Sequence, residues 1–326
     1  MDILKQPNRA DYFHGILALN ETDKGLLPMR FTPAQMAVYS ESEGRELRAR
    51  SGAGVSLQFE TDSESVALEF HSERGARQWL FVDLHVNGIL AGHAGQAKHT
   101  AGPGTAQFAL PAGRNRVSLC LPHSRELFLK SVRLAPGSST EPVPRPAKKL
   151  LCLGDSITQG MSALYASNTY THRLAASLNA DLLNQGVGGY IFCERSLDPG
   201  LPFKPDLITV AYGTNDWNHF ETDDAFRGAC RAYLRNLADC CPAARIAVLT
   251  PLWRADLAED KPMGPFQLVA DIIREECAAV ASTEVVDGLR LVPHTPEYFA
   301  DKRVHPNDLG FMHYAANLIQ AIGACS

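Results

Sequence analysis

Apolar and polar residues alternate in short runs through the first third of the chain. Alternation with a period of two is typical of strands that bury one face. Residues that favour tight turns, such as Asn87-Gly88, separate the runs. No stretch before residue 146 shows a convincing helical period. The pattern predicts an antiparallel β-sandwich of jelly-roll type, with strands near residues 55–59, 66–70, 80–86, 108–110 and 117–121.

The pattern changes after residue 148, where apolar strands alternate with amphipathic helices. Strands alternating with helices predict a parallel sheet between two layers of helices, a three-layered, flavodoxin-like α/β fold. The strands are expected at 149–153, 182–183, 206–212, 244–249 and 284–286, and the helices at 170–178, 223–239, 266–280 and 308–321.

Between these two regions, residues 136–146 contain four prolines and no hydrophobic period. That composition is typical of a stiff, exposed linker. We therefore expect a β-sandwich domain over 1–135, a linker over 136–147 and an α/β domain over 148–326.

Composition narrows the classes of function. The chain of 326 residues is 45% hydrophobic and carries a net charge of −5 without a Lys/Arg cluster, which excludes disorder and argues against nucleic-acid or membrane partners. Neither a signal peptide nor a stretch of about 20 apolar residues is present, so we expect a cytoplasmic protein. The sequence leaves a homo-oligomer open.

The cysteines and histidines give no metal motif. Eight cysteines lack CxxC spacing and are expected to be reduced, mostly buried thiols: Cys120, Cys152, Cys193, Cys230, Cys240, Cys241, Cys277 and Cys325. His85, His93 and His99 lie at spacings that could suit a metal, yet surface or core histidines are far commoner. We expect no metal and no cofactor.

Four short polar blocks lie at the positions where ligands bind in parallel α/β sheets, beyond the carboxyl ends of the strands. Alone, each is weak evidence, because Gly-Asp-Ser is also a common helix N-cap and Gly-Thr-Asn-Asp a common turn. Their occurrence in this order on one edge of a sheet is hard to attribute to chance. The blocks are 154–160, 184–189, 213–216 and 301–308.

In these blocks the region 148–324 resembles the SGNH (GDSL-type) hydrolases, whose Ser, Gly, Asn and His match Ser156, Gly189, Asn215 and His305. The resemblance implies that Ser156 is the nucleophile and His305 the base that takes its proton. It also implies an oxyanion hole formed by the backbone N–H groups of Ser156 and Gly189 and the amide of Asn215.

The acid that orients His305 departs from the family pattern. The family places it three residues before the histidine, where this chain has Lys302, whereas Asp301 lies four residues before. We expect Asp301 to take the role. The alternatives are a backbone carbonyl, as in some related carbohydrate esterases, or Asp308, which is otherwise interpreted as a helix N-cap.

Further residues near the blocks have supporting roles. Asp155 and Asp216 are expected to hold the nucleophile and Asn215 in place through hydrogen bonds. Trp217 and Trp253 follow strands at the same edge, and each is expected either to pack in the core or to contact substrate.

A β-sandwich before an SGNH domain is similar to two-domain carbohydrate esterases and to polyketide-tailoring acyltransferases. We expect a carboxylic ester hydrolase that removes small acyl groups, acetyl above all, from a small-molecule or oligosaccharide ester. The alternative is acyl transfer to an alcohol. A third possibility is a noncatalytic carbohydrate-binding protein, which the intact Ser/Gly/Asn/His set disfavours.

Overall fold

The computed structural model describes residues 1–324, so Cys325 lies outside the described residues. Two antiparallel sheets form the first half. One has the order β1-β4-β9-β6-β7, with β11 also pairing to β4, and the other has the order β2-β3-β10-β5-β8. The strands are β1 (Phe13–His14), β2 (Ala18–Thr22), β3 (Gly25–Met29), β4 (Ser56–Thr61), β5 (Ser65–Ser72), β6 (Leu80–Val86), β7 (Ile89–Gln96), β8 (Gly102–Ala109), β9 (Asn115–Cys120), β10 (Phe128–Leu134) and β11 (Thr140–Pro142).

The two sheets enclose one apolar core, which confirms the predicted sandwich. Alternate residues point inward: Leu57 and Phe59 on β4, and Leu68 and Phe70 on β5, are all buried in it. Residues Thr140–Pro142 lie inside the segment predicted as a linker and pair with β4. The predicted domain boundaries remain predictions.

Two short helices interrupt the sandwich, where the sequence pattern predicted none. These are α1 (Pro33–Tyr39) and α2 (Glu43–Ala49). A capping box formed by Thr32 and Gln35 starts α1. Tyr39 and Ala49 join the core of the second domain, so these helices bury their apolar residues outside the sandwich.

A parallel sheet forms the second half, in the order β13-β12-β14-β15-β16. This flavodoxin-like order confirms the predicted fold class. Apolar cores on both faces of the sheet complete the three layers. The strands are β12 (Lys148–Gly154), β13 (Ala180–Gly186), β14 (Leu207–Ala211), β15 (Arg245–Leu249) and β16 (Thr283–Val286), and the helices are α3 (Ser156–Gln159), α4 (Tyr170–Leu178), α5 (Asp216–His219), α6 (Asp223–Cys240), α7 (Phe266–Ala278) and α8 (Asp308–Ala324).

Short 3-10 helices occur in the connecting segments at Ile3–Lys5, Arg9–Tyr12, Ala166–Asn168, Glu194–Ser196, Gly288–Arg290 and Pro296–Tyr298. Seven cysteines of the described range are unpaired thiols, four of them buried. In the described part, no helix combines the length and apolar character that crossing a bilayer requires.

A buried arginine joins the two halves. The Arg30 guanidinium is inaccessible to solvent and donates to the carbonyls of Ser51 (2.8 Å), Arg48 (2.9 Å) and Asn184. Burial lowers the pKa of Arg30 to about 9. Asn184 lies on β13, so this side chain ties the segment after α2 to the sheet edge that carries the second polar block.

Candidate active site

The turn after β12 holds Ser156 at the first position of α3. Asp155 caps this helix, because its carboxylate accepts a hydrogen bond from the Ile157 N–H at 2.8 Å. The Ser156 Oγ lies 2.8 Å from the Nε2 of His305, which comes from the loop before α8. A hydroxyl and an imidazole at this distance are able to exchange a proton.

Asp301 orients the other side of the imidazole. Its Oδ2 lies 2.6 Å from the His305 Nδ1, and its Oδ1 accepts the backbone N–H groups of Arg303 (2.9 Å), Val304 (2.8 Å) and His305 (3.1 Å). Lys302 adopts a left-handed φ of 59°. This sharp turn accommodates the one extra residue that separates Asp301 from His305, relative to the family pattern.

The electrostatics of Asp301 favour its charged form. Partial burial would raise the pKa of this carboxyl, but the hydrogen bonds from His305 and from three backbone N–H groups hold it well below its usual range. A carboxylate beside Nδ1 keeps the proton on that nitrogen and leaves Nε2 free to accept one from Ser156. The alternative acid, Asp308, instead accepts the Leu164 N–H at 3.1 Å.

Three hydrogen-bond donors lie on the loops around Ser156. The backbone N–H groups of Ser156 and Gly189 have no acceptor among the described residues. Gly189 has a φ of 78°, and a Cβ there would point into open space. The Asn215 Nδ2 donates to the Tyr190 carbonyl at 3.1 Å and to the Asp155 Oδ2 at 3.2 Å. The structure thus brings together the residues of all four blocks.

Two buried carboxyl groups connect these loops. Asp155 links Asn215 to the nucleophile turn, and Asp216 accepts the N–H groups of Phe192 (2.9 Å) and Gly213 (2.8 Å). Burial raises the pKa of Asp155 to about 6 and that of Asp216 to about 7. Both groups therefore sit in surroundings that disfavour their charged form.

The two tryptophans differ in position. Trp217 is 0% exposed, packs edge-on against Phe266 and donates its indole N–H to the Gly264 carbonyl at 2.8 Å. Of the two alternatives expected for Trp217, the structure shows packing in the core. Trp253 is half-buried and stacks with His294 at a centroid distance of 6.2 Å. Its role in binding remains a prediction.

A buried ion-pair network that the sequence analysis missed supports the site. Asp256 accepts from Arg254 at 2.5 and 2.7 Å and from the Nε of Arg303 at 2.8 Å. Arg254 also donates to the Thr214 carbonyl at 2.9 Å. The network links the loop of His305 to the residue before Asn215. The sequence signal that could have revealed this network is the charged residues that follow β15.

Residues of the first half also contact the nucleophile turn. The Gln159 amide donates to the Ser51 Oγ and the His123 carbonyl, both at 3.1 Å, while its oxygen accepts the Gly188 N–H at 2.9 Å. Arg77 donates to the Ser162 Oγ at 3.2 Å. The sandwich region therefore braces both the nucleophile turn and the loop that carries Gly189.

The sequence that forms this site is similar to a known family. The model of the GDSL-like lipase/acylhydrolase family matches residues 152–312, a range that holds all four blocks. The α/β domain belongs to this family. The GDSL domain thus places this part of the chain among the lipases and acylhydrolases of that family. No curated protein matches the chain in sequence.

Solved structures resemble both halves of the chain together. A salicylyl-acyltransferase from a tetracycline biosynthetic pathway aligns with a TM-score of 0.82 at 20% identity, covering 96% of this chain and 94% of the other. An acetyl xylan esterase from Butyrivibrio proteoclasticus gives 0.64 at 16% identity, covering 100% and 97%. A family two carbohydrate esterase from Cellvibrio japonicus gives 0.63 at 19%, covering 84% and 89%. At these identities the likeness shows only that the fold of both halves is shared.

Proposed function

We propose that the protein is a serine esterase that removes small acyl groups, acetyl above all, from a carbohydrate or a similar hydroxylated compound. The observation that carries the proposal is the chain of contacts from Asp301 through His305 to Ser156, with distances of 2.6 and 2.8 Å. In this order the three groups form a nucleophile, a base and the acid that orients the base.

In the first half of the reaction, His305 Nε2 takes the Ser156 hydroxyl proton while Oγ bonds to the ester carbonyl carbon. The tetrahedral intermediate collapses when the C–O bond to the leaving alcohol breaks, and His305 returns the proton to that alcohol. Water then attacks the acyl group on Ser156 as His305 takes a proton from it. The bond between the acyl carbon and Oγ breaks, His305 returns the proton to Oγ, and the carboxylic acid leaves.

The oxyanion of each tetrahedral intermediate needs fixed donors, and the proposal assigns this role to the Ser156 and Gly189 N–H groups and the Asn215 amide. Both amide hydrogens of Asn215 already have acceptors, Tyr190 and Asp155. Donation to the oxyanion therefore requires the amide to share or give up one of these two hydrogen bonds. The bond to Asp155 is the longer of the two and is the one expected to weaken.

The exposure of the base supports water as the molecule that removes the acyl group from Ser156. The His305 side chain is 25% exposed and that of Asp301 is 40% exposed, so the base lies at the surface. Solvent therefore reaches the imidazole that would activate the attacking water, while Ser156 itself is only 6% exposed. The exposure of the base supports hydrolysis as the second step.

Acyl transfer to an alcohol is the second candidate. The likeness to the salicylyl-acyltransferase spans both halves at a TM-score of 0.82, above the 0.64 for the acetyl xylan esterase. Both reactions share the acyl group on Ser156 and differ only in the molecule that removes it.

A product analysis separates the two candidates. We expect the protein to hydrolyse p-nitrophenyl acetate and acetylated sugars, with free acetate as the product even when an alcohol or sugar acceptor is present. Longer acyl chains should react more slowly. Formation of the acceptor's ester in place of free acetate would show that the protein is a transferase, and no turnover of any ester would contradict both candidates.

A further inference from the structure

A cleft of about 800 Å³ lies between the sandwich and α4. Its lining includes His14, His85, Arg116, His172 and Asp181, and none of the four residues Ser156, Gly189, Asn215 and His305 is among the described lining residues. The mechanism proposed above makes no use of this cleft. Its concentration of imidazoles is what distinguishes it from an ordinary gap between packed elements.

Three potential metal ligands from three elements lie together beside this cleft, and two of them, His85 and His172, line it. His85 lies on β6, Cys120 ends β9, and His172 lies on α4. The Cys120 Sγ is 4.0 Å from the His85 Nδ1 and 3.7 Å from the His172 Nε2. One ligand atom from each residue lies within 4.8 Å of the other two.

These distances are close to those of a tetrahedral zinc site. With Zn–S near 2.3 Å and Zn–N near 2.05 Å, the sulfur-to-nitrogen edges of the tetrahedron are ~3.6 Å and the nitrogen-to-nitrogen edge is ~3.3 Å. The two sulfur-to-nitrogen distances observed need to shorten by only a few tenths of an ångström. The ligand nitrogens of the two histidines lie within 4.8 Å of each other and have to move closer on binding.

The donor set and one neighbouring group suit a cation. Imidazole nitrogens and a thiolate sulfur are common zinc ligands, and a cysteine must lose its proton to bind the metal. The fully buried carboxylate of Asp83 lies near all three groups and supplies a negative charge.

Asp83 is itself held in place by both halves of the chain. Its Oδ2 accepts the Ser167 N–H at 2.8 Å, and its Oδ1 lies 2.9 Å from the His93 Nδ1. It pairs across the strands with Cys120. A carboxylate held in place beside two imidazoles and a thiol would compensate the charge of a bound cation.

We propose that His85, Cys120 and His172 bind one Zn²⁺ ion at this junction, with a water molecule from the cleft as the fourth ligand. On binding, the S–H bond of Cys120 breaks, its proton goes to solvent, and the sulfur bonds to the metal. The ion would link the sandwich to α4. This departs from the expectation of no metal, because the ligands lie 35 and 52 residues apart and form no motif along the chain.

Cobalt provides a direct spectroscopic test. Full-length, tag-free, reduced protein is stripped with a chelator and titrated with Co²⁺ under anaerobic conditions. We expect one equivalent to produce a thiolate-to-cobalt charge-transfer band and the visible absorption of four-coordinate Co²⁺. One equivalent of Zn²⁺ should abolish both signals and raise the melting temperature.

Variants assign the signal to the three residues. Cys120→Ala should remove the charge-transfer band, and His172→Ala should weaken metal binding at least tenfold. Cys230→Ala removes a buried thiol on α6 and should change neither. Each variant is first checked for folding without metal, and if Cys120→Ala does not fold, His85→Gln and His172→Gln replace it. No band at one equivalent, or a band that persists in folded Cys120→Ala or in both histidine variants, would overturn the proposal.

Discussion

Replacing Asp301 by asparagine tests how the imidazole is held. The asparagine side chain would keep an oxygen for the three backbone N–H groups that now donate to Oδ1, so the loop should keep its shape. Its amide group would then face the His305 Nδ1, at present 2.6 Å from the carboxylate. An N–H facing Nδ1 favours the tautomer with the proton on Nε2, which is the nitrogen that must accept the Ser156 proton.

The size of the effect follows from the loss of this tautomer and of the charge that stabilises the imidazolium. Such a replacement in a buried triad costs up to about 10⁴-fold in kcat. The Asp301 side chain is 40% exposed, so water replaces part of the lost charge. We therefore expect kcat to fall by about 10²- to 10³-fold, equivalent to about 2.7–4 kcal/mol of transition-state stabilisation, with little change in KM.

The assay is steady-state hydrolysis of p-nitrophenyl acetate across a range of pH. Asp308→Asn is the matched control, because Asp308 is the alternative acid and instead accepts the Leu164 N–H. It should stay within a few-fold of wild type. A loss below tenfold for Asp301→Asn, with a near-normal pH–rate profile, would show that Asp301 does not orient the base. The catalytic group would then be a Ser156–His305 dyad.

The other predictions concern three features of the structure. Asn215→Ala should lower kcat by about 10²- to 10³-fold with a modest change in KM, and an effect confined to KM in steady-state kinetics would show that Asn215 only binds substrate. Burial raises the pKa of Asp216 to about 7 from an unfolded value near 3.9, so this group's contribution to stability is present below about pH 4 and lost as the pH rises to 7. Asp216→Asn should flatten that part of the dependence of melting temperature on pH, and an unchanged slope would contradict the assignment. Residues 148–326 expressed alone should be poorly soluble, because Tyr39 and Ala49 cover part of their core; a soluble and active fragment would show that the first half is an independent module.

The elements of the α/β domain could be predicted because their signals are local. The helix expected at 170–178 is observed as Tyr170–Leu178, and the strand expected at 244–249 as Arg245–Leu249. Apolar runs and helical periods arise from burial against the sheet, so the sequence carries them directly. The four blocks could be located for the same reason, since each follows a strand or precedes a helix.

What could not be predicted depends on contacts distant in sequence. The helices α1 and α2 have seven residues each and bury Tyr39 and Ala49 on the other domain, so they show no long period of their own. Position after a strand did not reveal that the Trp217 side chain points into the core. The pairing of Asp256 with Arg303 spans 47 residues and leaves no local signature.

Active-site labelling followed by peptide mass spectrometry shows whether Ser156 carries the acyl group during the reaction. Native protein is treated with a fluorophosphonate, and with p-nitrophenyl acetate followed by rapid acid quenching, alongside Ser156→Ala as the control. We expect a single modification on Ser156 from either reagent, none in the variant, and loss of ester turnover in a variant that still folds. Modification at another residue, or near-normal turnover by Ser156→Ala, would contradict this expectation.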